Sequence, residues 1–178
     1  VIAFPHADRL GGDEKFATSI NYSRTVLPLF ENDNNKYPDT VGTVILGTGT
    51  GGYTAKGTTQ NIDILKNSQW TDQGIASAPV DVDNLVRRIP LLYKTPDGWL
   101  AAFGTQVLKS LAGADTYVIK TNENGIEEIR VKGLPPVKVD SLGRKWVSWV
   151  VPHETTLQEM NVEGRFVFVG VTAKGVMP

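Results

Sequence analysis

The sequence predicts a single α/β domain with a mixed, antiparallel-plus-parallel sheet flanked by helices. Three observations carry that class. Apolar runs of strand length alternate with helically spaced segments through the first two-thirds of the chain. The last third is rich in hairpin signals. Near the end, RFVFVGV (165–171) is an almost continuous apolar run, the pattern of a strand covered on both faces, and it is expected at the sheet's centre. The length of 178 residues suits one domain.

In chain order, VIAF reads as a first short strand. Phe16, Ala17 and Ile20 share one helical face, and Asp13 and Glu14 lie early in that helix, where its dipole favours acidic side chains. TVLPLF (25–30) is a strand that Pro28 pushes toward an edge or a bend. A polar loop (31–39) leads to a strand, VGTVILG (41–47), and the Gly/Thr-rich run at 48–60 reads as a mobile loop. NIDILKNS (61–68) supplies a helical turn or two, and VRRIPLLY (86–93) a strand closed by the turn TPDG. From Trp99 to Leu111, an apolar stripe of Leu100, Phe103, Gly104, Val107, Leu108 and Leu111 predicts a core-facing helix stopped by Gly113. TYVIK (116–120) and IEEIRV (126–131) form a hairpin about an Asn-Gly turn. PVKVD and RKWVSWVV read as a second pair across SLG, followed by a short helix, ETTLQEM (154–160), and then RFVFVGV.

Composition excludes several functions. Eighteen Lys and Arg against nineteen Asp and Glu give a formal charge of −1, without the basic excess that phosphate-backbone binding needs, so no nucleic-acid partner is expected. The absence of cysteine excludes disulfides, thiolate metal sites and a Cys nucleophile. No apolar stretch approaches the roughly 18 residues of a membrane span, and no basic-then-apolar leader opens the chain. The apolar start at Val1 and the apolar run close to the end read as an excised piece of a larger protein.

Candidate chemistry is sparse. GTGTGG (47–52) matches G-x-G-x-x-G after a strand, but YTAKGTTQ follows where a nucleotide site needs an apolar helix, so it reads as a loop. His6, with Asp8 and Asp13 nearby, reads as a solvated loop rather than a metal site, and His153 stands after Pro152 without a recognisable partner. No G-x-S-x-G or S-x-x-K motif supports a Ser nucleophile, and no cofactor or metal is expected. Asn21-Tyr22-Ser23 is a formal glycosylation sequon. The four Trp residues, Trp146 and Trp149 among them, read as packing. The most polar constellation on a predicted strand is Asp81 and Asp83 followed by Arg87 and Arg88. The acids suit a divalent cation or a carboxylate-based hydrolase, and the arginines suit a carboxylate or phosphate ligand. A salt-bridged turn in which the acids only clamp the arginines is the structural alternative.

Taken in order, several segments resemble the type-two CHASE sensor domain. DRLGGDEKFATSI resembles the family's Asp-rich entry into a helix, and TVLPLF its next strand. GIASAPVDVDNLVRRIPLL (74–92) resembles its most recognisable block: small residues, Asp-x-Asp, an Arg pair and an apolar strand with Pro. LAAFGTQVLKSLAG, VDSLGRKWVSWV and NVEGRFVFVGVTAKG are similar to its later helix, Gly-containing turn and closing segment. Asn84 stands where the family usually has Gly, and the family's N-terminal Trp-Pro-Trp-Pro-Arg-type block is missing, as expected of a trimmed fragment.

The resemblance implies a non-catalytic, extracytoplasmic sensory domain of a bacterial inner-membrane signalling protein, such as a nucleotide cyclase or histidine kinase. It implies contact with the membrane through flanking spans and adds a reason to expect a homodimer, whose two-fold contact is expected at the N-terminal segment because the apolar start VIAF reads as an uncovered sheet edge. The ligand, a small molecule or other extracytoplasmic signal, is expected at Asp81, Asp83, Arg87 and Arg88. A carboxylate enzyme using Asp81 and Asp83, and a purely structural dimerisation module, are the other classes open to these residues.

Overall fold

The computed structural model describes residues 2–150 and 163–169. Helix α1 (Asp13–Ile20) leads into strand β1 (Thr25–Leu29), and β2 (Gly42–Leu46) and β3 (Tyr53–Thr54) follow. After the single turn α2 (Asp63–Lys66) come β4 (Thr71–Ile75), β5 (Arg88–Pro90), β6 (Leu92–Thr95) and β7 (Gly98–Ala101). Helix α3 (Phe103–Ala112) precedes β8 (Thr116–Asn122), β9 (Gly125–Val131), β10 (Val137–Lys138) and β11 (Arg144–Trp146).

The pairing is mixed, as the α/β reading requires. The largest sheet has the order β10-β9-β8-β2, antiparallel except for the parallel β2–β8 pair. β1 and β4 pair in parallel, β6 pairs with β3 in parallel and with β7 antiparallel, and β11 pairs antiparallel with β5. Alternation along TYVIKTN turns Tyr117, Ile119 and Thr121 inward, and Ile126, Ile129 and Val131 of β9 meet them, with Leu92 and Trp99 completing the core. The hairpin forms within the expected segment, but its turn is centred on Glu123 and Asn124, with Asn122 paired to Gly125, rather than on Asn124-Gly125.

Helix α3 differs from the expected Trp99–Leu111 element in both extent and facing. Residues 98–101 are strand β7, and the helix starts at Phe103. Its buried residues are Thr105 and Gln106, whereas Leu108 is 47% exposed and Leu111 52%. Two contacts fix this orientation. The buried Tyr117 hydroxyl donates to Gln106 Oε1 at 2.9 Å. Gly74 of β4 lets the helix close in, because a Cβ there would lie 2.7 Å from Phe103 Cα. A satisfied polar pair and a close backbone approach outweigh the stripe.

Other expectations are corrected. Residues 2–4 of VIAF join no sheet: Phe4 N–H donates to Asn61 Oδ1, Ile62 N–H donates to the Phe4 carbonyl, and the Phe4 ring meets Phe16 at 5.1 Å. VRRIPLLY divides at Leu91 into β5 and β6, which join different sheets. PVKVD and RKW do not pair with each other, because β10 finds β9 and β11 finds β5. RFVFVGV is not a central strand over its described residues: 165–169 lie outside any strand, and Phe168 is 66% exposed. The ladders of β8, inside the largest sheet, are already filled by β2 and β9, and Phe168 rests against Phe103 of α3 with centroids 6.1 Å apart. Gly170, Val171 and ETTLQEM lie outside the described residues. The run at 48–60 contains the short strand β3 and is packed rather than loose, since a Cβ on Gly49 would fall 1.8 Å from the Asn122 carbonyl oxygen. Its glycines serve close approach to the end of β8. Strand β4, which the sequence reading did not single out, is the parallel partner of β1.

Candidate functional site

Asp81, Asp83, Arg87 and Arg88 converge on one charged node, joined by Asp140, Arg144 and Trp146 from β11 and the turn before it. The loop before β5 closes on itself, with Asn84 N–H donating to the Asp81 carbonyl and Asp81 N–H to the Leu85 carbonyl, both at 2.9 Å. Asn84 holds the turn with φ +62°. This is the left-handed region, which glycine enters freely and asparagine more readily than other L residues. Asparagine at position 84 therefore holds the turn at little cost.

The turn aims both acids at the arginines. Arg87 grips Asp83 through two contacts, 2.6 Å from Nη2 to Oδ2 and 2.8 Å from Nη1 to Oδ1, and reaches Asp81 Oδ2 at 3.2 Å. Arg88 pairs more loosely, at 3.4 Å to Asp81 Oδ1 and 3.4 Å to Asp140 Oδ2. The β5–β11 ladder sets Arg88 opposite Trp146, and its guanidinium lies 5.5 Å from that ring's centroid. Asp140 anchors the far side. It accepts from the Leu142 and Arg144 amides at 3.1 and 2.9 Å and from Arg144 Nε at 2.9 Å. An Asp that caps a Gly-containing turn and faces an Arg four residues on is a local signal, and Asp140-Ser-Leu-Gly-Arg144 carries it. Its link to Arg88, 52 residues away in sequence, is tertiary and has no sequence signal.

Three acids against three arginines leave the node formally neutral. Hydrogen bonding from Arg87 holds the Asp83 carboxyl down at about 2, and the same bond, with that to Asp81, pushes the guanidinium upward. A carboxylate so far below neutrality is a poor proton donor or acceptor for hydrolysis. Arg88 Nε is buried with no hydrogen-bond partner among the described residues.

The Asp8 carboxylate accepts from Leu10 N–H at 3.1 Å and Gly12 N–H at 2.8 Å, which lowers its pKa, and Asp13 Oδ2 accepts from Asp8 N–H at 2.7 Å. Both acids thus shape the entry to α1, and His6 is exposed beside them. His153 lies outside the described residues. GTGTGG leads to β3 and does not open a helix. Asn21 uses its side-chain oxygen to accept from Gln69 N–H at 2.9 Å.

With this geometry in hand, comparison with protein families decides the assignment: the CHASE2 domain model matches residues 1–178. The chain belongs to the CHASE2 family. CHASE2 domains are extracytoplasmic sensory domains rather than catalysts, which fits a node whose acids are committed to arginines. No match was found among curated proteins or among solved structures. Among the described residues of this CHASE2 chain, no helix is long and apolar enough to cross a membrane.

Proposed function

We propose that this CHASE2 chain is the signal-perceiving part of a bacterial inner-membrane protein, such as a nucleotide cyclase or histidine kinase, and that it reads an anionic small molecule at the Asp81–Arg88 node. The observation that carries the reading is the pairing of Arg87. Its guanidinium fork is held by Asp83, whose side chain is 46% exposed, so an incoming carboxylate or phosphate meets the same bidentate geometry from solvent. Exchange of one anion for another keeps the fork satisfied and frees the 81–85 turn. A sensor must bind its signal better in one of two arrangements. The unpaired Arg88 Nε supplies a reason for a second one, since an unsatisfied buried donor costs about 1–3 kcal/mol that a rearranged node recovers.

The test uses the full-length protein in membranes, with its nucleotide or phosphotransfer output read as small carboxylates and inorganic phosphate are added on the domain's side. At least one is expected to change the output in the wild type and not in Arg87→Gln. A panel without effect, or an identical response in the variant, overturns the reading. A second copy of the chain belongs to the same proposal, as signalling hosts couple their output through paired subunits. Sedimentation over a concentration series should show mass rising toward a dimer, and a strict monomer at millimolar concentration would remove that element.

A further inference from the structure

A second charged site lies at the C-terminal end of α3 and shares no residue with the node. A cavity of about 210 Å³ opens there, walled by Arg24, Trp70, Asp72, Lys109, Ser110 and Asp115 among others. An adjoining cavity of about 290 Å³ shares Arg24 and Trp70 and is bordered by Tyr22 and Ser23. Each alone falls short of the roughly 300–1,000 Å³ of a drug-sized site, so each has room for one part of a small metabolite.

The charges in the wall are incompletely matched. Arg24 lies over the Trp70 ring at 5.9 Å and donates one Nη1 hydrogen bond to the Ser110 carbonyl near the end of α3, where the helix's partial negative charge favours a cation. Its other terminal nitrogen has no partner among the described residues. Lys109 is only 14% exposed, yet its nearest acid, Asp72 Oδ1, stands 3.9 Å away, beyond hydrogen-bond distance. Asp72 is already engaged through its other oxygen by the Ser110 hydroxyl at 2.6 Å. The Asp115 carboxylate makes no hydrogen bond or ion pair among the described residues. Two cations and two acids thus face one small space with bonding capacity to spare. A ligand carrying a single charge would leave one sign unanswered, whereas a zwitterion answers both. Beyond them the exposed rings of Tyr22 and Trp70 offer an aromatic shelf.

We propose that this cavity binds a free α-amino acid with an apolar or aromatic side chain. Its carboxylate meets Arg24 and Lys109, its ammonium meets Asp115 and Asp72, and its side chain lies over Tyr22 and Trp70. This is a second input to the sensory domain, independent of the anion site at the node.

Isothermal titration of the 178-residue chain with L-phenylalanine and L-leucine tests it, with glycine, phenylacetate and phenethylamine as partial ligands. At least one of the two amino acids should bind saturably, and every partial ligand should bind about ten-fold more weakly or worse, the loss of one charge-assisted contact or of the shelf. Arg24→Gln and Asp115→Asn alter exposed side chains, and each should weaken binding by about ten-fold or more. A thermal midpoint and circular dichroism spectrum like the wild type's verify that each variant is folded. The proposal fails if neither amino acid binds below about 10 mM, where ΔG° is under roughly 3 kcal/mol. It fails equally if binding survives both variants unchanged, or if phenylacetate or phenethylamine binds as well as L-phenylalanine. Because the readout is binding alone, such a failure leaves the node's proposal standing, and a silent Arg87→Gln host leaves this one standing.

Discussion

The β8–β9 hairpin and the Asp81–Arg88 node lie in the same chain but are held together by different forces. The hairpin is a ladder over an apolar face, with Ile119 paired to Ile129 and both fully buried. The node is a chain of ion pairs at 2.6–3.4 Å between partly exposed side chains, and among the described residues its only sheet support is the three-residue β5–β11 ladder. Apolar burial removes surface from water and has no partner to exchange, so it fixes a shape. Ion pairs near solvent contribute little each, and water, salt or another ion can replace either member. The hairpin therefore behaves as scaffold, and the node as the place where the molecule can change.

Substitutions should separate the two along that line. The largest loss is expected from Ile119→Ala, about 2–5 kcal/mol in chemical denaturation, from lost transfer energy plus the cavity left behind. Asp140→Ala should cost less, about 1–3 kcal/mol, because it strips two amides and the Arg144 guanidinium of their acceptor in a partly solvated place. If Asp140→Ala matched Ile119→Ala, the node would be scaffold too.

Acid should loosen the node before the hairpin. The Asp83 carboxyl is depressed in the folded chain from 3.8 to about 2 by hydrogen bonding to Arg87. Its contribution is therefore fully present above the unfolded value and is lost as pH falls through the folded one, between about 4 and about 2. Amide resonances of residues 81–88 should shift over that window while the side-chain methyl resonances of the buried Ile119 and Ile129 hold, and a simultaneous change in both would erase the distinction. The smallest effect is expected from Leu108→Ala, under about 0.5 kcal/mol, since that side chain faces solvent. A core-sized loss would mean that the outer face of α3 is covered in solution.

The same contrast explains what could be read from the chain. The hairpin was legible because alternation and a turn signal are local, and α1 because its acidic first turn and its Ala17 and Ile20 face lie within eight residues. The facing of α3 was not legible, because it depends on Gly74, from β4, and Tyr117, from β8. RFVFVGV has the composition of a buried strand, but whether a ladder is open to it is a property of the assembled sheet. At the node, the four residues of the Asp81–Arg88 segment were legible as a cluster, and Asn84 as an exception that the left-handed turn explains. Asp140, Arg144 and Trp146 came to it through a strand pairing that the sequence suggested differently.

The most direct test of the node as the sensing element is a titration of the isotopically labelled chain with acetate, citrate and inorganic phosphate, following the arginine Nε–Hε resonances. The account predicts saturable shifts at Arg87 and Arg88, with accompanying changes across 81–85 and 140–146, abolished in Arg87→Gln. Anions that leave those resonances in place, or that move only residues around Arg24 and Lys109, would contradict it.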